Sequence, residues 1–200
     1  ELLNSKEIDK VVHVKESLEN ERLFEYTISS SYEEIVQGGK SKYYPVELSY
    51  VLERIKNEEG YYAIVGIPCF IKAVRLLMKE EPIFKERIKY CVGLVCGHLK
   101  SENFANMLAW QIGIPPNLLN WIDFRTKLKD SNANAYGVSV SSEKRPLDYQ
   151  VKTAPMRSLY GGNWGHGFFK YKSCDFCDDV LAETADVTIG DAWLPEYIKD

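Results

Sequence analysis

Tyr61-Tyr62-Ala63-Ile64-Val65-Gly66-Ile67-Pro68-Cys69, read with the Phe70 to Lys79 segment that follows it, decides the fold class of this 200-residue chain. A continuous apolar run of this length is the pattern of a strand buried on both faces. Gly66-Ile67-Pro68 makes a tight turn with a proline suited to a helix start, and Phe70 to Lys79 is amphipathic at helical spacing. The unit reads as strand, turn and helix. Tyr90-Cys91-Val92-Gly93-Leu94-Val95-Cys96 reads as a second buried strand, after which Ser101 is placed to cap a helix from Glu102 to about Ile112. Alternating strands and helices argue for a parallel or mixed α/β core, whose strands place their C-terminal ends on one edge, where ligands usually bind.

Upstream of this core, residues 21–29 alternate as a strand, and Gln37-Gly38-Gly39-Lys40-Ser41 is a polar turn and a candidate binding loop. Pro45 is expected to open a helix running to about Asn57 with Val46, Val51, Leu52 and Ile55 as its apolar stripe, stopped at Gly60. Downstream of Pro115-Pro116 the pattern shifts to shorter strands at 119–125, 135–142 and 147–152. A Gly- and aromatic-rich stretch, 160–172, leads to Cys174-Asp175-Phe176-Cys177, a last strand at 186–189, and Gly190-Asp191-Ala192-Trp193. The expected fold is α/β, a mixed sheet with parallel strand-helix units in the first half and more antiparallel strands in the second. One domain over 1–200 is expected, with an α/β part (1–115) and a β-rich part (116–200). The chain opens at Glu1 without a methionine and stops in a polar run, so a fragment of a longer chain is expected.

An apolar content of 45% with 12% aromatics is enough for a substantial core. The 25 basic and 29 acidic residues give a net charge of −4, and no Lys or Arg cluster is dense enough to follow a phosphate backbone, which argues against nucleic acid. No apolar run is long enough to span a membrane and the N-terminus has no signal-peptide pattern, so a cytoplasmic location is expected. Five cysteines without a secretory signal fit reduced thiols and metal chemistry better than disulfides.

Cys69 and Cys96 fall at the C-terminal ends of two expected parallel strands, so topology brings their thiols to one edge. Cys69 also sits at a helix N-terminus, where N–H groups and the dipole favour a thiolate. Cys174 and Cys177 form a C-x-x-C hook, which suits two ligands to one metal centre. Cys91, five residues before Cys96 on the same strand, is expected to face the core. Spacing alone weighs a four-cysteine site evenly against Cys69 and Cys96 being small buried hydrophobes, and it does not choose between zinc and an iron–sulfur cluster. His98 is an alternative fourth ligand, whereas His13 and His166 read as solvated or loop histidines.

The ordered motifs Ser41-Lys42-Tyr43, Val65-Gly66-Ile67-Pro68-Cys69, Gly93-Leu94-Val95-Cys96-Gly97, Phe124-Arg125-Thr126-Lys127, Cys174-Asp175-Phe176-Cys177 and Ala185 to Trp193 resemble the coenzyme F-420 hydrogenase/dehydrogenase beta subunits. These in turn resemble formate dehydrogenase beta subunits and 7-hydroxymethyl chlorophyll reductase. The resemblance covers most of the chain. It implies a noncovalent FAD beside a [4Fe–4S] cluster, with hydride exchanged on one side and single electrons on the other. Cys69, Cys96, Cys174 and Cys177 would be the cluster ligands, and Cys91 would not. Ser41, Lys42 and Tyr43, in the loop from Gly39, would hold flavin together with Pro68, Arg125 and Lys127; the last two, two apart on a strand, would neutralise a reduced flavin or an anionic substrate. Asp191 would orient the loop by the cluster, Trp193 would stack on a ring, and Trp164 to Tyr171 would keep water from the cluster. Asp175, inside the hook, would lower the cluster potential. Ile67 stands where the family's Gly-Thr-Pro-Cys motif has threonine, which removes a hydroxyl from the pocket. The implied partners are a ferredoxin-like module or partner redox subunit and a small-molecule hydride donor or acceptor such as coenzyme F-420. No residue is assigned as catalytic acid or base. The alternatives are a zinc-stapled or cofactor-free interaction domain, and a thiol redox enzyme using Cys174 and Cys177.

Overall fold

The computed structural model describes residues 1–17, 22–192, 194 and 196. Its larger sheet has five strands in the order β2-β1-β3-β4-β8: β1 (Lys10–Glu16), β2 (Phe24–Ser29), β3 (Tyr62–Gly66), β4 (Ile88–Leu94) and β8 (Val187–Ile189). β2 is antiparallel to β1, whereas β1, β3, β4 and β8 all run parallel. The second sheet is antiparallel, with β5 (Trp121–Thr126), β6 (Gly137–Ser141) and β7 (Lys152–Pro155) in chain order. The α/β class with a mixed sheet is therefore as the sequence leads one to expect.

The strand, turn and helix unit forms around the residues quoted first. β3 is buried at four of its five positions, and α3 (Pro68–Glu80) begins with Pro68 at its first turn and turns Ile71 and Val74 into the core. With α2 (Ser49–Asn57) and α4 (Pro82–Arg87) it covers one face of the sheet, where Tyr26, Ile55, Tyr62, Ile64, Phe84 and Cys91 pack together. α5 (Glu102–Gln111) instead packs Phe104 and Leu108 with Phe124, Val138 and Val140 of the antiparallel sheet. β8, from the other end of the chain, pairs with β4 and forms one edge of the first sheet. Buried apolar side chains of this kind stabilise by roughly 1.5–3 kcal/mol each relative to exposure.

Several elements differ from expectation. β1 lies inside the expected charged start: Val11, Val12 and His13 are buried because β2 and β3 flank the strand. α1 (Tyr32–Gln37), capped by the Ser31 hydroxyl accepting from the Glu34 N–H at 3.2 Å, is also new. Pro45 and Val46 precede α2 instead of opening it, and β4 ends at Leu94, before Cys96. β7 follows the expected third strand of the second half by a few residues.

Candidate functional site

The C-terminal ends of β3, β4 and β8 deliver the chemistry-bearing residues to one edge. Cys69 follows the end of β3 in the first turn of α3, Cys96 follows β4, and Asp191 follows β8. The hook joins them because residues 99–101 and 169–171 are tied together. Ser101 N–H donates to the Phe169 carbonyl at 2.8 Å and Tyr171 N–H to the Leu99 carbonyl at 3.2 Å. The buried Lys100 donates its Nζ to the Phe168 carbonyl at 2.6 Å. With the loop fixed, Leu99 N–H donates to Cys174 Sγ at 3.3 Å, and Cys96 N–H donates to the Val180 carbonyl at 3.0 Å. Beyond the hook, Arg75 pairs with Asp186 at 2.6 Å and donates to the Thr184 carbonyl at 2.8 Å, while the Asp186 carboxylate accepts the Cys91 N–H at 2.7 Å.

The four thiols Cys69, Cys96, Cys174 and Cys177 lie within electrostatic reach of one another. Burial, and after it the charges of Cys69, Cys174 and Cys177, push the Cys96 thiol up to about 11. Burial and then Cys177 raise Cys69 as well, against the pull of the Phe70 N–H. This reverses the thiolate expected from the helix terminus: desolvation and mutual repulsion outweigh one turn of backbone dipole. Sulfurs that resist ionising together form a site short of positive charge, and a bound metal centre relieves that shortage. In residue type the four thiols suit a thiolate-ligated centre. Among the described residues, no group of three or more His, Cys, Asp or Glu is drawn close enough to hold a metal ion. Cys91 stands apart, wholly buried, raised to about 11 by burial, and facing Arg75 and Asp186 instead of the other thiols.

Beside the thiols lies a cavity of about 790 Å³. Its wall includes Cys96, the loop from Gly38 to Tyr44, Ile67, Arg125, Tyr136, Trp164 and Asp191. Ser41, Lys42, Tyr43 and Arg125 are thus brought together. Lys42 Nζ donates to the carbonyls of Gly38 at 2.5 Å, Lys40 at 3.0 Å and Gly39, so it ties the loop; burial lowers it to about 8. Arg125 pairs with Asp191 at 2.7 Å and lies over the Tyr136 ring. Burial works against its charge, but Asp191 and Tyr43 more than offset that, so the guanidinium is held protonated. Burial raises the Tyr43 hydroxyl, and the nearby Arg125 charge opposes that shift. Pro68 is buried in α3 and Lys127 is exposed, and neither lines the cavity; β5 ends at Thr126, so Lys127 leaves the strand that would have aligned it with Arg125. Trp193 lies outside the described residues.

Two family models for coenzyme F-420 hydrogenase/dehydrogenase, beta subunit, match the sequence: the one for its C terminus over residues 60–199, and the one for its N-terminal part over residues 1–53. The chain belongs to the coenzyme F-420 hydrogenase/dehydrogenase beta subunit family. Among solved structures, this family member is similar to a chain from the F-420-reducing [NiFe] hydrogenase complex of Methanosarcina barkeri, solved as a xenon derivative. The TM-score is 0.64 at 16% identity over 97% of the present chain, which shows a shared fold. The match spans 62% of the Methanosarcina chain, so the present one covers about three fifths of its length. No curated protein matches the sequence. The family is one of hydrogenase and dehydrogenase subunits, and among the described residues no helix is long and apolar enough to cross a membrane.

Three members of the cavity wall have no role in the sequence reading beyond a passing one. His13, expected to be solvated or in a loop, is buried in β1, 2.8 Å from the Ser29 hydroxyl, and burial lowers it to about 4. His98 is stacked on Trp164 with ring centroids 4.3 Å apart and planes 12° from parallel, and its Nε2 is buried with no hydrogen-bond partner among the described residues. Lys100 lies over the Trp164 ring at 4.6 Å and is lowered to about 8 by burial. A histidine and a lysine so close after Cys96 were the available signal. What buries them is a loop some 65 residues away in sequence, and no local pattern encodes that.

Proposed function

We propose that this chain is the redox domain of a flavin- and iron–sulfur-dependent oxidoreductase acting on coenzyme F-420 or a related hydride carrier. FAD would occupy the cavity, and a [4Fe–4S] cluster would be held by Cys69, Cys96, Cys174 and Cys177. The observation that carries this reading is that Cys96 belongs to both features, as one of four electrostatically coupled thiols and as part of the cavity wall. When bound, the flavin supplies hydride chemistry and the cluster one-electron chemistry.

The chain's own residues prepare the site for that exchange. Lys42 shapes the Gly38–Lys40 loop by binding its carbonyls, and, with the Gly38 and Gly39 N–H groups closing the end of α1, Ser41 is the loop's group for a phosphate. Arg125, kept charged by Asp191, supplies positive charge where a reduced flavin or an anionic substrate needs it. Tyr43 and Trp164, their ring centroids 4.4 Å apart, keep water from the wall. A ferredoxin-like module or a redox subunit is the proposed partner, in the cytoplasm. Support for docking beside the hook comes from Phe176, 88% exposed, and from the open edge of β8, where Val187 and Ile189 are exposed.

Purification without oxygen, followed by visible absorbance and assays of iron, zinc and flavin, tests the reading. Iron with acid-labile sulfide and a stoichiometric flavin is the expected result. Zinc with no flavin would replace it with a zinc-stapled interaction domain.

A further inference from the structure

We propose that His98 is a further ligand-positioning residue of the cavity, hydrogen-bonding through Nε2 to the ring system of the bound flavin beside Cys96. The inference rests on the flavin reading above and assigns a contact to a residue outside the motifs that suggested it. Buried side-chain nitrogens in folded proteins are almost always paired, because an unmet hydrogen bond away from water costs free energy. His98 Nε2 is buried and has no partner among the described residues, and His98 is one of the residues that line the cavity.

The ring has little freedom to seek a partner elsewhere. It is stacked on Trp164 at 4.3 Å, and Trp164 is itself held between Tyr43, at 4.4 Å, and the Lys100 ammonium, at 4.6 Å. Such a stack fixes the direction of the imidazole at a cost the aromatic contacts readily offset. His98 follows Cys96 by two residues, which puts it at the thiol end of the cavity, and the loop from Gly38 also lines the wall, its Tyr43 packed on the same Trp164 ring. The part of a flavin that exchanges electrons has to lie near the thiols, so the ring system is what His98 meets, and the loop is left to the phosphates. An imidazole nitrogen can donate to or accept from the polar edge of an isoalloxazine.

Two substitutions separate the hydrogen bond from the packing. His98→Phe keeps an aromatic ring against Trp164 and removes Nε2, whereas His98→Gln restores an amide near the same position. Dissociation constants for FAD and for riboflavin, which has no phosphate, are read from flavin fluorescence, with iron content measured alongside. The expected result is binding weaker by about tenfold for both flavins in H98F, near wild-type binding in H98Q, and unchanged iron in both. Equal binding by H98F and wild type overturns the proposal, as does a loss confined to FAD, which would put His98 at the phosphates. Loss of iron together with flavin also overturns it, since His98 would then serve the metal centre. A wild-type protein that binds neither flavin would overturn the flavin reading itself, an outcome distinct from the other three.

Discussion

Cys69 and Cys96 hang from β3 and β4, strands paired on both sides within the sheet, whereas Cys174 and Cys177 sit in short turns where Phe176 is almost wholly exposed. The first pair is placed by the hydrophobic core, and the second by a handful of hydrogen bonds that tie Cys174, Tyr171 and Phe169 to Leu99 and Ser101. One site is thus assembled from a rigid half and a tethered half. Local stability follows buried contacts, so the tethered half should open first and gain most from a bound centre. The sharpest way to break this picture is at the thiols. Cys96→Ser should abolish iron binding, while Cys91→Ser, in the same region but facing the core, should leave iron per protein unchanged. Equal losses, measured by metal analysis of anaerobically purified variants, would refute the division between ligand and core cysteines.

The strand-held half carries its own weakness, which is acid. His13 is buried in β1 with a pKa lowered to about 4, first by burial and then by Lys15 and Lys42, with Glu34 opposing. In the unfolded chain its pKa is about 6.5. Between those values the unfolded chain takes up a proton that the native protein refuses, so stability is fully present above pH 6.5 and falls as the pH drops toward 4. The loss amounts to as much as about 3 kcal/mol. Denaturant titrations at pH 7 and pH 4.5 should show His13→Gln losing less stability than wild type between the two. Identical losses would mean that His13 is not the group responsible.

The same contrast explains what the sequence disclosed. β3, α3 and β4 were legible because an unbroken apolar run and a proline at a helix start are local signals with few other outcomes. The hook was legible by chemistry, since Cys174 and Cys177 advertise themselves by spacing and not by structure. β1 was not, because Lys10, Lys15 and Glu16 frame its short buried stretch and only pairing with β2 and β3 makes it a central strand. Arg125 could be read from its motif, but its companion Lys127 depended on where β5 ends, and strand ends are set by partners. His98 and Lys100 owe their burial to Trp164 and Phe168, contacts made only once the loop has closed.

Gly93 tests how closely the two halves fit. A Cβ added there would meet the Ala182 Cβ at 2.4 Å and the Ala185 Cβ at 3.0 Å, so β4 accepts the segment after the hook only because this position has no side chain. Gly93→Ala should cost roughly 1–3 kcal/mol, the usual penalty of overpacking. It should also weaken metal binding, while amide protection in β1 and β3 stays as in wild type. Protection lost evenly across the sheet would show that the halves unfold as one.

Arg75 tests the tether with the smallest expected effect. Its guanidinium spans Asp186 and the Thr184 carbonyl, and Asp186 in turn receives the Cys91 N–H, so three short contacts join α3 and β4 to the segment leading into β8. Both members of the pair are partly exposed, at 25% and 40%, so solvent screens their attraction. Arg75→Met should therefore cost only about 0.5–1 kcal/mol globally. The local effect should be larger than the global one. Because the lost contacts all fall on one segment, hydrogen exchange should quicken at Cys91 and at residues 184–189 while the amides of β1 and β3 are unaffected. A variant with unchanged exchange at Cys91 would mean that Asp186 keeps its place without the arginine. The tether would then reside in the Leu99–Cys174 contact, and it is there that the loop-held thiols would have to be loosened.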